Sequence, residues 1–201
     1  LGDVYKRQDM INKAKKELEK LLKGNENFVS GNPQAVTKSL ETLQKFEKYQ
    51  APFAVVLTCS DSRVVPEIIF DCGIGELFVV RVAGMTTGPN VVESLEYAVK
   101  KLHLPLLMLL GHDDCGVMKF AEENYPNVTE NFKAFANCVY PVLDNYGPAT
   151  DSSDFAKKHT LWVEKFLLEH SKIIRQAVEN GELYIAKCHF NHSTGKVELI
   201  D

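Results

Sequence analysis

Cys59, His112 and Cys115 are the side chains of this sequence best able to do chemistry together. His112 and Cys115 stand three residues apart in Gly111-His-Asp-Asp-Cys-Gly116, and Cys59 opens the run Cys-Ser-Asp-Ser-Arg63. An imidazole and a thiolate at that spacing can turn toward one metal ion where a strand gives way to a helix. A cysteine leaving a neighbouring strand can add a second thiolate. Two sulfurs and a nitrogen suit zinc, and three protein ligands leave one tetrahedral position open, as catalytic rather than structural zinc sites do. Each residue alone carries little weight, because a buried cysteine is usually small apolar filler. The case rests on both motifs falling at strand ends.

The elements that must position them are legible as patterns. Phe53-Ala-Val-Val-Leu-Thr-Cys59 is short, β-branched and unbroken by charge, which predicts a strand buried on both faces. Leu77 to Val82 and Leu106 to Leu110 predict two more of the same kind. Between them Val91, Val92, Leu95, Ala98, Val99 and Leu102 form a helical stripe, so strand, helix and strand predict a crossover in a parallel sheet. Ligands of such sheets bind beyond the carboxyl ends of the strands, which places both motifs at one edge. Helical spacing resumes from Asp154 to Glu179 and is ended by Asn180-Gly181. Strands at Leu183 to Phe190 and Val197 to Ile200 follow, joined by a Ser193-Thr-Gly195 turn as an antiparallel hairpin at a sheet edge. Ahead of the core, Ile11, Ala14, Leu18, Leu21 and Leu22 predict a helix closed by Gly24, and Asn32-Pro33 predicts a second reaching about Tyr49. Tyr125 to Ser153, with Pro126, Pro141, Gly147 and Pro148, is the least regular stretch and a candidate flap or subunit contact. The fold expected is α/β: a single domain with a central, mainly parallel β-sheet, flanking helices, an N-terminal helical arm and an antiparallel edge strand near the C-terminus.

Composition narrows the function classes. With 201 residues, 45% hydrophobic and 25% charged, the chain suits one soluble domain. A net charge of -4 gives no reason to expect a nucleic-acid partner. The lysines at 13, 15, 16, 20 and 23 are interrupted by Glu17 and Glu19 and read as a solvated helix face. Five scattered cysteines suit a reducing compartment better than a disulfide framework. No apolar run approaches the roughly 18–20 residues of a membrane span. Leu1 to Gln8 looks like translated adapter sequence, so residues 1–9 are expected to be foreign and the domain to run over 10–201. The lysine-rich start from Met10 is unlike a secretory signal, which makes cytoplasmic location the expectation.

Taken together, Cys-Ser-Asp-Ser-Arg63, Arg81-Val-Ala-Gly84, Ser94-Leu-Glu-Tyr97 and Gly-His-x-x-Cys-Gly116 resemble the β-class carbonic anhydrases, and the similarity covers nearly everything after residue 10. The resemblance implies one Zn²⁺ per chain on Cys59, His112 and Cys115. It also implies a catalytic pair, Asp61 and Arg63, reversible hydration of carbon dioxide to bicarbonate by a zinc-held hydroxide, and a homodimer or larger homo-oligomer. Chemistry supplies a reason for the pair. Two thiolates and a neutral imidazole bring the site charge near zero, so the metal acidifies water less than a three-histidine site would. Asp61 can then accept a hydrogen bond from the hydroxide while Arg63 forks its carboxylate. Released by Arg63, Asp61 would be a fourth zinc ligand in a closed state. The apolar stripe of the first helix is expected to be exposed on a lone subunit and so to favour dimerisation.

The chain departs from the family pattern at Met85, where many relatives have Asn, and at Cys72, where many bacterial members have Gln; both changes bear on substrate positioning and loop geometry. Val56 stands where members with a regulatory bicarbonate site carry Trp, so that site is not expected. His103, His159, His170, His189 and His192 read as surface or structural residues, and Cys138, Cys188 and Trp162 as core. Two alternatives stand beside carbon dioxide hydration: a related zinc hydrolase acting on carbonyl sulfide or carbon disulfide, and a catalytically weak zinc-binding scaffold.

Overall fold

Two runs of aliphatic residues without a polar break give two strands buried along their whole length, β1 (Ala54–Thr58) and β3 (Leu106–His112). They pair in parallel, with Val55 opposite Leu107 and Thr58 opposite Leu110. Around them, in a computed structural model that describes residues 2–34, 39–127 and 131–200, β2 (Leu77–Arg81), β4 (Tyr184–Phe190) and β5 (Val197–Leu199) complete one sheet of order β2-β1-β3-β4-β5. All pairings are parallel except β4 with β5, which is the expected antiparallel edge. The α/β architecture is therefore as the patterns predict. One expectation fails: β2 is only half-buried, because as the other edge strand it has a neighbour on one side alone.

Helices cover both faces. On one, Val56, Met108, Leu110 and Cys188 pack with Leu18 and Leu21 of α1 (Gly2–Val29) and Ile69 of α3 (Pro66–Ile69). On the other, Val55, Leu57, Leu107 and Leu109 meet α4 (Pro89–Lys100), α7 (Ser152–His170) and α8 (Lys172–Glu179). The helix expected over 154–179 is two, since Ser171 breaks it. Its hydroxyl accepts the Ile174 amide at 3.0 Å, capping α8, and donates to Glu96 at 2.6 Å. Among the described residues no helix is long and apolar enough to cross a membrane.

The N-terminal helix departs most from expectation. It runs through Gly24 to Val29, because Gly24 serves close packing and not termination: a Cβ there would collide with the Phe70 carbonyl oxygen. The stop comes at Gly31, whose φ of 71° lets the Gly31 and Asn32 amides return to Phe28 and Asn27. Asn25 is buried beside it, donating to Ile69 and Gly195 carbonyls and accepting from the Val197 amide, so it ties the helix to α3 and to β5. Ala14, Leu18 and Leu21 are thus covered by the chain's own core. The stripe is not an exposed face awaiting a second subunit.

The second helix, α2 (Leu40–Lys45), starts after a Ser39 cap instead of at Pro33, and residues 35–38 of the predicted span lie outside the described residues. After α5 (Gly116–Asn124), the stretch from Tyr125 to Ser153 is less irregular than expected: it contains α6 (Lys133–Tyr146), which holds Pro141 in its interior. Burial of Ala136, Val139 and Val142 on one face of α6 outweighs the hydrogen bond that proline removes.

Two consequences for stability can be measured. Leu21 is fully buried, so Leu21→Ala is expected to lower the free energy of unfolding by roughly 2–5 kcal/mol in urea titrations. His159 on α7 is buried, with a long contact of 3.4 Å to the Met85 carbonyl, and burial brings its pKa down to about 4 from an ordinary 6.5. Between those values the unfolded chain binds a proton that the folded chain refuses. Stability from this group is complete above pH 6.5 and is lost as pH falls through the window, by on the order of 3 kcal/mol. His159→Leu should flatten that part of the pH dependence; an unchanged slope would refute the assignment.

Candidate metal centre

Both motifs leave the sheet at its carboxyl edge. β1 ends at Thr58 and delivers Cys59; β3 ends at His112, and after a turn through Asp114, whose φ is 50°, delivers Cys115 at the start of α5. Asp accepts that left-handed conformation more readily than most residues. Parallel pairing of β1 and β3 then places the three side chains together: their ligand atoms all lie within 4.8 Å of one another, and all three residues are buried. The two sulfurs are 4.0 Å apart.

The arrangement fits a metal ion. His112 Nδ1 lies 2.7 Å from the Asp113 carbonyl, which can only accept, so Nδ1 carries the proton and Nε2 keeps its lone pair. That Nε2 is buried and has no hydrogen-bond partner among the described residues. The amides of Asp61 and Gly84 point at Cys59 Sγ from 3.4 and 3.1 Å. The Cys59 thiol is brought down to about 4, first by the facing Cys115 and then by His112 and these two amides, against the opposing effect of burial. Cys115 moves up, because it holds the proton when its neighbour is a thiolate. The Asp61 and Gly84 amides aimed at Cys59 Sγ favour negative sulfur there. Two thiolates and an imidazole are donors that zinc prefers.

Asp61 and Arg63 meet as the sequence predicts. Arg63 Nε donates to Asp61 Oδ1 at 2.9 Å and Nη2 donates to Oδ2 at 2.7 Å, while the Arg63 amide also reaches Oδ1 at 3.0 Å. This fork holds the carboxyl well below the usual carboxylate range, so it stays ionised. Asp61 is not among the residues that cluster around the ligand atoms.

Other residues of the site carry no signal in the sequence beyond the motifs. Arg81, the last residue of β2, donates to the Cys59 and Asp61 carbonyls at 3.1 and 2.6 Å and so clamps the loop leaving β1. Gly84 has φ 67°, and a Cβ there would stand 2.6 Å from Val117, so glycine lets α5 approach Cys59. Met85 follows in the left-handed region with φ 49°, a conformation asparagine favours and methionine does not. Its side chain is buried and lines, with Leu110, Met118 and Ala156, a small apolar cavity against Cys59, His112 and Cys115. Cys72 is away from this cavity, buried in the core under α1, donating to the Phe70 carbonyl, with its pKa pushed up to about 12 by burial. Val56 is core as well. His192, expected to be a surface or structural residue, packs its ring 5.0 Å from that of His112.

Over residues 54–197 the chain matches the family described as carbonic anhydrase. A carbonic anhydrase of Mycolicibacterium smegmatis is 48% identical over 181 residues, which cover 88% of each chain. Among solved structures, a Coccomyxa β-carbonic anhydrase in complex with acetazolamide gives a TM-score of 0.68 at 27% identity, covering 78% of this chain and 75% of that one. A chain from the tetrameric β-carbonic anhydrases of the ascomycete Sordaria macrospora also gives 0.68, at 23% identity over 79% and 85% of the two chains. The sulfur-sulfur-nitrogen trio and the whole-length likeness lead to one conclusion, that this chain belongs to the β-class carbonic anhydrase family.

Proposed function

We propose that the chain catalyses the reversible hydration of carbon dioxide to bicarbonate and a proton, with one zinc ion on Cys59, His112 and Cys115 and with Asp61 and Arg63 as the catalytic pair. Zinc at this trio supplies a bound water acidic enough to act as a nucleophile. The observation that carries the reading is an Arg63-forked Asp61 two residues from Cys59, one of three buried ligand residues that would leave a fourth zinc position open.

Each residue then has a task. An ionised carboxylate can only accept hydrogen bonds, so Asp61 accepts one from the attacking oxygen's proton and turns that oxygen's lone pair toward the substrate carbon. Arg63 fixes the carboxylate for this and keeps it from the open metal position; released, Asp61 would be the fourth ligand of a closed state. Carbon dioxide is small, linear and uncharged. Met85, Leu110, Met118 and Ala156 set an apolar wall beside the three ligand residues, in keeping with an uncharged substrate. No feature of the cavity favours carbonyl sulfide or carbon disulfide over carbon dioxide. A scaffold with a purely structural zinc would need neither Asp61 nor Arg63.

Assembly as a homodimer or larger homo-oligomer belongs to the same proposal. It is supported by the half-buried β2 edge, by the exposed Leu40, Leu43 and Ile68, and by the tetrameric state of the Sordaria proteins.

Stopped-flow hydration assays at matched zinc content test the pair. Asp61→Asn and Arg63→Ala should retain zinc and lose on the order of 10² or more in kcat, since each removes an oriented hydrogen bond from the reacting oxygen's environment. Activity within about twofold of wild type in either variant would overturn the assignment.

A further inference from the structure

The family motif ends at the ligands, yet one ligand is held by a buried network that reaches the last strands of the sheet. Asp113 is itself 7% exposed and is tied on three sides. Its amide donates to the Phe190 carbonyl at 3.3 Å. Carboxylate Oδ1 lies 2.7 Å from His189 Nε2, and Oδ2 accepts the His192 amide at 3.2 Å. Its remaining polar group, the backbone carbonyl, is the acceptor for His112 Nδ1. His189 is 2% exposed and sits on β4 in register with Gly111, one residue before the ligand. Ser153 Oγ is a second, longer neighbour of its Nε2 at 3.4 Å. Gly111 leaves no slack on the far side, since a Cβ there would collide with Thr160 of α7.

We infer that His189 is a positioning residue of the metal centre: its Nε2–H, held by the Asp113 carboxylate, fixes the Asp113 peptide so that the carbonyl orients the His112 ring and keeps the Nδ1–H tautomer. The chain of contacts runs from β4 through Asp113 to the ligand without touching the metal. A carboxylate accepts only, so His189 needs to supply one N–H and no charge. Partners of this kind orient a ligating imidazole, and their loss commonly weakens metal binding about 10- to 100-fold. This inference rests on the metal reading above.

Zinc affinity, measured by competition with a chromophoric chelator, tests it on the full chain. His189→Leu should raise the zinc Kd about 10- to 100-fold and change the ligand-field spectrum of the cobalt-substituted protein. His189→Gln keeps an N–H donor at similar reach and should stay within about threefold of wild type. Asp113→Asn is nearly isosteric but has one acceptor oxygen for two donors, so it should weaken zinc by about tenfold even if the leucine variant does not fold. A merely structural role would lower the unfolding midpoint and leave Kd and the cobalt spectrum alone. Zinc Kd within about twofold of wild type in Asp113→Asn, and in any folded His189→Leu, overturns the inference. Wild-type protein that takes up no zinc would instead refute the metal reading itself.

Discussion

The parallel pairing of β1 with β3 sets Leu57 opposite Leu109 and Thr58 opposite Leu110, and the convergence of Cys59 with His112 and Cys115 follows from that register. One residue beyond Thr58 is Cys59, and two beyond Leu110 is His112. A slip of one position would turn the alternating core residues to the wrong faces, so the register is held by the burial of both strands. Thr58 adds a specific lock, its hydroxyl donating 2.7 Å to the Leu110 carbonyl at the last pair before the site. The metal-binding residues thus stand together because the sheet is stable, before any ion contributes.

Neighbouring strands refine what that pairing delivers. β2 sends Arg81 across to the carbonyls of Cys59 and Asp61, and β4 sends His189 to Asp113. The loop from β1 and the loop from β3 are each fixed from the outer side by a charged or polar group of the adjacent strand. Between them the electrostatics divide: the Asp61 and Gly84 amides favour thiolate at Cys59, and the Arg63 guanidinium favours carboxylate at Asp61. At Cys59 a buried negative sulfur is stabilised by fixed donors, while the Asp61–Arg63 fork stands at the solvent edge of the site.

What the sequence disclosed follows the same physical division. β1, β3 and α4 are legible because their apolar spacing is decided locally, and the ligands are legible because their types and positions at strand ends constrain the chemistry. Gly24 misleads because glycine marks both helix ends and close packing, and only the tertiary contact with Phe70 separates the two. The α1 stripe has the same defect: an amphipathic face predicts that something covers it, not whether that is the chain itself. α6 escapes notice because Pro141 and the flanking proline and glycine read as turn, while three buried residues on one face sustain the helix. The half-burial of β2 depends on strand order, which no run of residues encodes alone. His189 and Asp113 lie 76 positions apart, and their pairing exists only through the β3 to β4 register.

Two thiolates and one imidazole from two strand ends would hold a single zinc with one position left open. Zinc K-edge X-ray absorption on the purified protein addresses this without reference to turnover. The expected result is about one zinc per chain with two sulfur neighbours at about 2.3 Å and two lighter neighbours at about 2.0–2.1 Å, one of them imidazole nitrogen. Four sulfur neighbours, or no tightly held zinc, would contradict it.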